Sequence, residues 1–219
     1  MDKIFNKVFM WLAIGLLISF GVGYAVSTDI TLVENIFDKY FFFIILLELA
    51  LAFILGLFIR KLSKVWTIML YILYSAVTGL TLSSIFLAFE ISSIAITFLS
   101  TSIIFVLLSI YGYTTKKDIT KIGTILFFTL IGEIILVLLN ILIFKSSTLD
   151  IISSALCLIV FMGYIIYDIN IIKRRMYDIS EDKLAVYGAF QLYLDFINIF
   201  IELLRIFGKS KDWFSFSFE

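Results

Sequence analysis

The sequence has no histidine, no proline and one cysteine. Without histidine it lacks the side chain that ordinarily titrates near neutrality and the commonest zinc ligand. Without proline, helix kinks must come from glycine or from polar side chains. The lone thiol, Cys157, has no second cysteine to pair with, so it does not reveal the redox compartment. Polar residues are scarce too. Of the 219 residues 62% are hydrophobic, and the mean hydropathy is +1.12; a soluble domain is nearer half apolar. A chain of this length cannot hide so much apolar surface from water, so the bilayer must be the solvent for most of it. The formal net charge is zero, which argues against nucleic acid as a partner.

A helix needs ~20 apolar residues to cross the hydrocarbon core. Seven stretches qualify: Phe5–Val26, Tyr40–Ile59, Trp66–Phe89, Ile91–Tyr111, Ile122–Phe144, Ile151–Ile172 and Leu184–Phe207. The first is too long for a signal-peptide core and is read as a retained helix. Glu90 falls in a tight turn between the third and fourth. The longest polar connections are expected at Ser27–Lys39 and Lys173–Lys183. The fold class is therefore all-α, an integral membrane bundle of seven helices forming a single domain over 1–219.

Basic residues set the orientation, because cytoplasmic loops retain them. One set of alternate loops carries Lys3, Lys7, Arg60, Lys61, Lys64, Lys116, Lys117, Lys121, Lys173, Arg174, Arg175 and Lys183; the other carries only Lys39 and Lys145. The N-terminus is expected in the cytoplasm. Arg205, Lys209 and Lys211 at the far end resist the rule, leaving a crossing last helix or a re-entrant one. Gly15, Ser19 and Gly23 share a four-residue spacing that lets helices approach closely, for packing within the bundle or for a dimer seam.

Five carboxylates fall inside the predicted helices: Glu48, Glu133, Asp168, Asp195 and Glu202. No lysine lies in a helix interior, and Arg60 and Arg205 sit only at helix ends. An intramembrane charge costs at least ~2.5 kcal/mol on insertion scales. Each acid must then be protonated, paired, or facing water or a cation. In the last stretch Gln191, Asp195, Asn198, Glu202 and Arg205 are spaced by four, three, four and three, which puts them on one face. A polar stripe on an otherwise apolar membrane helix must point into the bundle, as a hydrogen-bonded seam or as a hydrated, ion-conducting one. Asp195 lies about eleven residues into the stretch, ~16 Å along the axis and near mid-membrane.

Asp168 has two readings. It pairs with the bases that follow it, Lys173-Arg174-Arg175, or it pairs with Asp195 across the sixth and seventh helices. Two adjacent carboxylates cannot both ionise cheaply and so share a proton. Such a pair is a proton switch that needs no histidine, and Arg60 is the nearest cation in sequence pattern to lock it. Glu48, and Glu133 with Asn140 two turns further along one face, either line a path or bond to a neighbour.

Four blocks, "TGLTLSSIFLAFE", "STSIIFVLLSIYGYTTKKDITKIG", "LIVFMGYIIYDINIIK" and "LYLDFINIFIELLRIFG", together resemble the transmembrane Bax inhibitor motif family, particularly its bacterial members. The resemblance runs from about Thr78 to Gly208. It implies a seven-helix fold with the last helix surrounded by the other six. It also implies a pH-sensitive calcium leak, with Asp168 and Asp195 as the sensor pair and Arg60 taking part in the closed state. The isoleucines Ile165 and Ile166 precede "YD" where the family often has a small residue or threonine.

The expected function is a calcium leak channel, with Ca²⁺ as the transported ion passing Asp168 and Asp195. Glu48, Glu133, Gln191, Asn198 and Glu202 are candidate pore-lining residues. No resident cofactor and no enzymatic activity are expected. Membrane lipid and calcium ions are the expected partners of a monomer in the inner membrane of a bacterium; an endoplasmic reticulum membrane is the lesser alternative. Two rivals stand beside it. One is a non-conducting scaffold that regulates other membrane proteins. The other is an intramembrane aspartyl protease. Tyr167-Asp168 fits such an enzyme, but Tyr193-Leu194-Asp195 departs from its "GxGD" motif, and the chain has no proline for its Pro-Ala-Leu element.

Overall fold

The computed structural model describes residues 3–174 and 179–211. Its helices are α1 (Lys3–Ser27), α2 (Ile30–Phe58), α3 (Lys64–Ala88), α4 (Ile91–Thr114), α5 (Thr120–Leu139), α6 (Ser147–Lys173) and α7 (Glu181–Phe207). A π-helical turn, Asn140–Phe144, extends α5. The described residues contain no strand, only an isolated bridge between Phe89 and Ser210. All seven helices, α5 taken with its π turn, are long and apolar enough to cross a membrane. Large apolar side chains such as Leu17, Phe42 and Leu142 are more than two-thirds exposed, a surface suited to lipid and not to water. The protein is an all-α, multi-pass membrane protein.

The segment 27–39, expected as a polar connection, is mostly helix. Only Thr28 and Asp29 separate α1 from α2. Asp29 is the cause. In extended backbone at the N-cap, its carboxylate accepts from the Thr31 and Leu32 amides at 3.0 and 3.2 Å and from the Thr31 hydroxyl at 2.6 Å. Amides that a helix start leaves free are thereby satisfied. Hydropathy misses this turn because Glu34, Asn35, Asp38 and Lys39 are polar although helical. At the other long connection, Arg175 lies outside the described residues.

By backbone contacts the chain forms two compact units. The first holds α1, α2, α3 and α7 as far as Tyr193. The second holds α4, α5, α6 and α7 from Leu194. α7 is one continuous helix of 27 residues, ~40 Å long. A re-entrant segment needs a break, and α7 has none. Of its most apolar window 78% is buried, against 11–50% in the other helices. It is the core helix, as the polar stripe and the family resemblance led us to expect.

Within the first unit, small residues bring α1 and α3 together. A Cβ on Gly79 would meet the Ser19 carbonyl oxygen at 2.8 Å and Val22 Cβ at 2.7 Å; one on Gly23 would meet the Gly79 carbonyl at 3.1 Å. The Gly15, Ser19, Gly23 spacing therefore serves packing inside the molecule. Ser19 is fully buried, and its hydroxyl lies 2.6 Å from both the Ser75 carbonyl and the Tyr193 hydroxyl. It donates to the carbonyl and accepts from the phenol. The Tyr71 hydroxyl donates to the Trp11 carbonyl at 2.9 Å.

Two predictions follow from these contacts. Gly79→Val forces backbone apart and should destabilise the protein by about 1–3 kcal/mol in reversible detergent unfolding. Gly56→Ala, with nothing within 4 Å of the new Cβ, should change stability by less than about 1 kcal/mol. Equal losses would refute the close α1–α3 approach. Hydrogen bonding to Thr31 and Leu32 holds the Asp29 carboxyl below its ordinary value of 3.8. A depressed folded-state pKa gives stability that is full above the ordinary value and is lost as pH falls through the lowered one. Asp29→Ala should therefore speed amide exchange at Thr31 and Leu32 several-fold at neutral pH, and acid should do the same to the wild type only below the ordinary carboxyl range.

Candidate functional site

In the second unit, glycines fix the height and rotation of α6. A Cβ on Gly112 of α4 would meet the Ile166 carbonyl at 2.7 Å, and one on Gly123 of α5 would meet the Tyr167 ring. Both contacts fall just before Asp168. The rotation of α7 is set by rings: Phe196 packs against Phe98 and Phe105 of α4 with centroids 5.3 and 5.8 Å apart. Phe196 is the next residue after Asp195, so the same contact aims the aspartate.

Asp168 and Asp195 are each only 3% exposed, and each carboxyl group is close enough to act on the other's proton. Asp195 Oδ2 has no hydrogen-bond partner among the described residues. The Tyr164 phenol bears on both acids, and Tyr167 bears on Asp168. No lysine or arginine among the described residues pairs with either acid. Among the described residues Asp168 thus lies near Asp195 and is paired with none of the bases that follow it.

The bases after Asp168 turn elsewhere. Lys173 Nζ donates to the Tyr113 carbonyl at 2.5 Å and lies 4.9 Å from the centre of that ring. Arg174 donates to the Lys117 carbonyl at 2.8 Å. These acceptors lie in the "GYTTKKDIT" segment, where Asp118 accepts from the Thr120 amide and hydroxyl at 3.0 and 2.6 Å. Those bonds hold the Asp118 carboxyl below its ordinary range. The helix end and the loop satisfy each other and leave the aspartates uncompensated. Arg60 is exposed in the turn after α2, and its guanidinium forms no ion pair among the described residues. Its carbonyl is 3.4 Å from Lys183 Nζ.

The remaining candidates separate by environment. Glu48, in the first unit, is satisfied on both oxygens by the Thr78 and Thr81 hydroxyls at 2.6 and 3.1 Å. Glu133 is buried; Ser153 donates to its Oε1, and its Oε2 has no partner. Asn140 is a structural cap: its side chain bonds the Ser146 amide and carbonyl and the Asp150 carboxylate. Asn198 donates to the Leu194 carbonyl of its own helix at 2.8 Å. The α7 stripe is thus not one seam. Gln191 is half-buried in the first unit. Asp195 and Glu202 are buried in the second, while Arg205 reaches outward, its side chain 48% exposed.

Sequence reading missed three groups here. Tyr164 lies one turn before Asp168 on the same face, a spacing that was legible. Asn170 is buried, donating to the Gly112 carbonyl at 3.2 Å with its Oδ1 unpartnered. Cys157, half-buried on α6, lies in electrostatic range of Glu202, a proximity that no one-dimensional pattern shows. Among the described residues the buried side-chain atoms without a partner are Ser109 Oγ, Glu133 Oε2, Asn170 Oδ1 and Asp195 Oδ2; all four belong to the second unit.

The family model described as inhibitor of apoptosis-promoting Bax1 matches residues 1–212. The inner membrane protein YbhL of Escherichia coli K12 is 40% identical over 213 residues, 94% of this chain and 91% of that one. An uncharacterized protein of Borreliella burgdorferi is 38% identical over 218 residues, covering 96% and 94% of the two chains. An uncharacterized membrane protein of Streptococcus pyogenes is 36% identical over 169 residues, or 75% and 72%. Matched over nearly its whole length, and folded as seven membrane-crossing helices, the chain belongs to the Bax inhibitor family.

Proposed function

We propose that the protein is a pH-sensitive calcium leak in which Asp168 and Asp195 share the controlling proton. The observation that carries this reading is the closeness of the two acids, both buried, with no cation among the described residues paired to either. With one proton between them, one carboxyl donates to the other and the contact holds α6 to α7. When the proton leaves, two like charges face each other in a medium of low dielectric, and their repulsion is strong. The contact then opens or takes in a cation. Ca²⁺ suits the site chemically, as a hard ion that prefers oxygen ligands. The four unpartnered polar atoms of the second unit support a hydrated path, since buried polar groups that lack protein partners are ordinarily met by water or ions.

The polarity follows from the same geometry: the protonated pair is closed and the ionised pair conducts. A lock by Arg60 on the ionised pair would reverse it. We further propose that the protein works as a monomer in the plasma membrane of a bacterium with its N-terminus in the cytoplasm. The loop charge asymmetry and the Escherichia coli relative's name as an inner membrane protein support that placement.

Calcium flux into liposomes loaded with an indicator tests the leak. Wild-type flux should rise with pH by up to about tenfold per unit, the limit for a single titrating proton. Asp168→Asn and Asp195→Asn should each flatten that profile. Arg60→Gln should leave it pH-dependent. An unchanged profile in both aspartate variants would refute the sensor, and flux that persists at high pH only in Arg60→Gln would reverse the polarity. Purified protein that conducts at no pH would favour the scaffold reading.

A further inference from the structure

Within the second unit a groove runs between α4 and α7, near the start of one helix and the end of the other. Its volume is about 410 Å³, within the ~300–1,000 Å³ of small-ligand pockets. The sequence of α4 makes the gap. Where α4 carries Phe98, the ring packs against Phe196 and Phe200 of α7, with centroids 5.3 and 6.5 Å apart. Ser93, Thr97 and Ser100 are spaced by four and three and so share a face. Their side chains are too short to close the space beside Leu203 and Phe207, and the groove remains.

The lining is ordered along its length. Ser93 lies in the first turn of α4, and Lys209 is two residues past the end of α7. The Lys209 amide donates to Ser93 Oγ at 3.0 Å, which ties the lysine to this end of the groove. Its exposed side chain thus stands at the helix ends, the level of lipid headgroups, where membrane helices keep their cations. One and two turns further in are the Thr97 and Ser100 hydroxyls. Such groups in a membrane helix commonly bond back to the preceding turn. Thr101 and Ser102 do so, each at 2.8 Å. Those of Thr97 and Ser100 form no such bond among the described residues and are left as donors. Leu203, six residues before Lys209, is buried, while Ile96 and Phe207 are 66% and 74% exposed. Apolar side chains so exposed on a membrane helix meet acyl chains, so the groove opens sideways into the bilayer.

We propose that this groove holds one anionic phospholipid. Its phosphate sits on Lys209, its ester carbonyls accept from Thr97 and Ser100, and the first part of an acyl chain lies against Ile96, Leu203 and Phe207. Cation, hydroxyl donors and apolar wall follow one another from the helix ends inward, as phosphate, ester and chain do in the lipid. From Ser93 to Ser100 is seven residues, or ~10 Å, so the protein seats the interfacial part of the molecule and leaves the rest in the bilayer. The charge of Lys209 selects the headgroup. Phosphatidylglycerol answers it with a net negative charge, whereas phosphatidylcholine brings a second cation.

Native mass spectrometry of the detergent-solubilised full chain, titrated with phosphatidylglycerol or phosphatidylcholine of the same acyl chains, counts the lipid retained. One phosphatidylglycerol should be held in preference to phosphatidylcholine. Lys209→Gln should weaken it about fivefold, the worth of one basic side chain at an anionic membrane surface. Lys145→Gln, an exposed lysine away from the groove, should not. Thr97→Val, which keeps the shape and loses the donor, should weaken it several-fold, and Ser100→Leu, which fills the groove, should abolish retention. The lipid-free Lys209→Gln protein should melt as the wild type does, so that its loss reports binding and not folding. Equal retention of the two lipids, or phosphatidylglycerol binding indifferent to both Lys209→Gln and Ser100→Leu, would overturn the proposal. Displacement of the lipid by millimolar inorganic phosphate would assign Lys209 to a free anion, and a dimer dissolved by Ser100→Leu would give the groove to a second copy of the chain; either result would overturn it too.

Discussion

Two buried carboxyl groups, close to one another and with no base paired to either among the described residues, constrain one another. Each could ionise alone at a moderate cost if a base were near. Facing each other, they tolerate one negative charge far better than two. The surrounding architecture maintains that condition. Gly112 and Gly123 let α4 and α5 press against α6 at Ile166 and Tyr167, just before Asp168. Phe98 and Phe105 hold Phe196, and with it Asp195, at one rotation of α7. Lys173 and Arg174, the obvious counter-ions in sequence, are bound by backbone carbonyls of Tyr113 and Lys117.

The two units treat polar groups differently. In the first, Glu48 is bonded on both oxygens, and Ser19, Ser75 and Tyr193 form a closed chain of hydrogen bonds. Such satisfied networks rigidify a core. In the second, Ser109, Glu133, Asn170 and Asp195 each keep a buried atom without a partner. Unsatisfied polar atoms are costly, and those of the described residues are concentrated in this unit. The proposed path runs through it for that reason.

Much of this was legible in the sequence. Seven apolar stretches gave seven helices, because the bilayer sets a length that composition reveals directly. The acids on α7 were legible as a stripe, because a polar face on a membrane helix has a helical period. What periodicity cannot show is which neighbour each residue meets. The stripe therefore divided: Gln191 fell in one unit, Asn198 bonded its own backbone, and Arg205 turned outward. The start of α2 was hidden because a capped, polar helical turn has the composition of a loop. For Asn140 the sequence left a path and a bond to a neighbour both open; in the structure it caps the turn into α6. The Cys157–Glu202 proximity joins positions forty-five apart and leaves no local trace.

The account depends on the two aspartates holding one proton jointly. Infrared difference spectroscopy of the protonated carboxyl stretch, followed through a pH titration, reads that proton directly. The account predicts a band that disappears in a single step at rising pH and whose position and midpoint change when either Asp168 or Asp195 is replaced by asparagine. Two bands that titrate independently, each untouched by removal of the other residue, would contradict it.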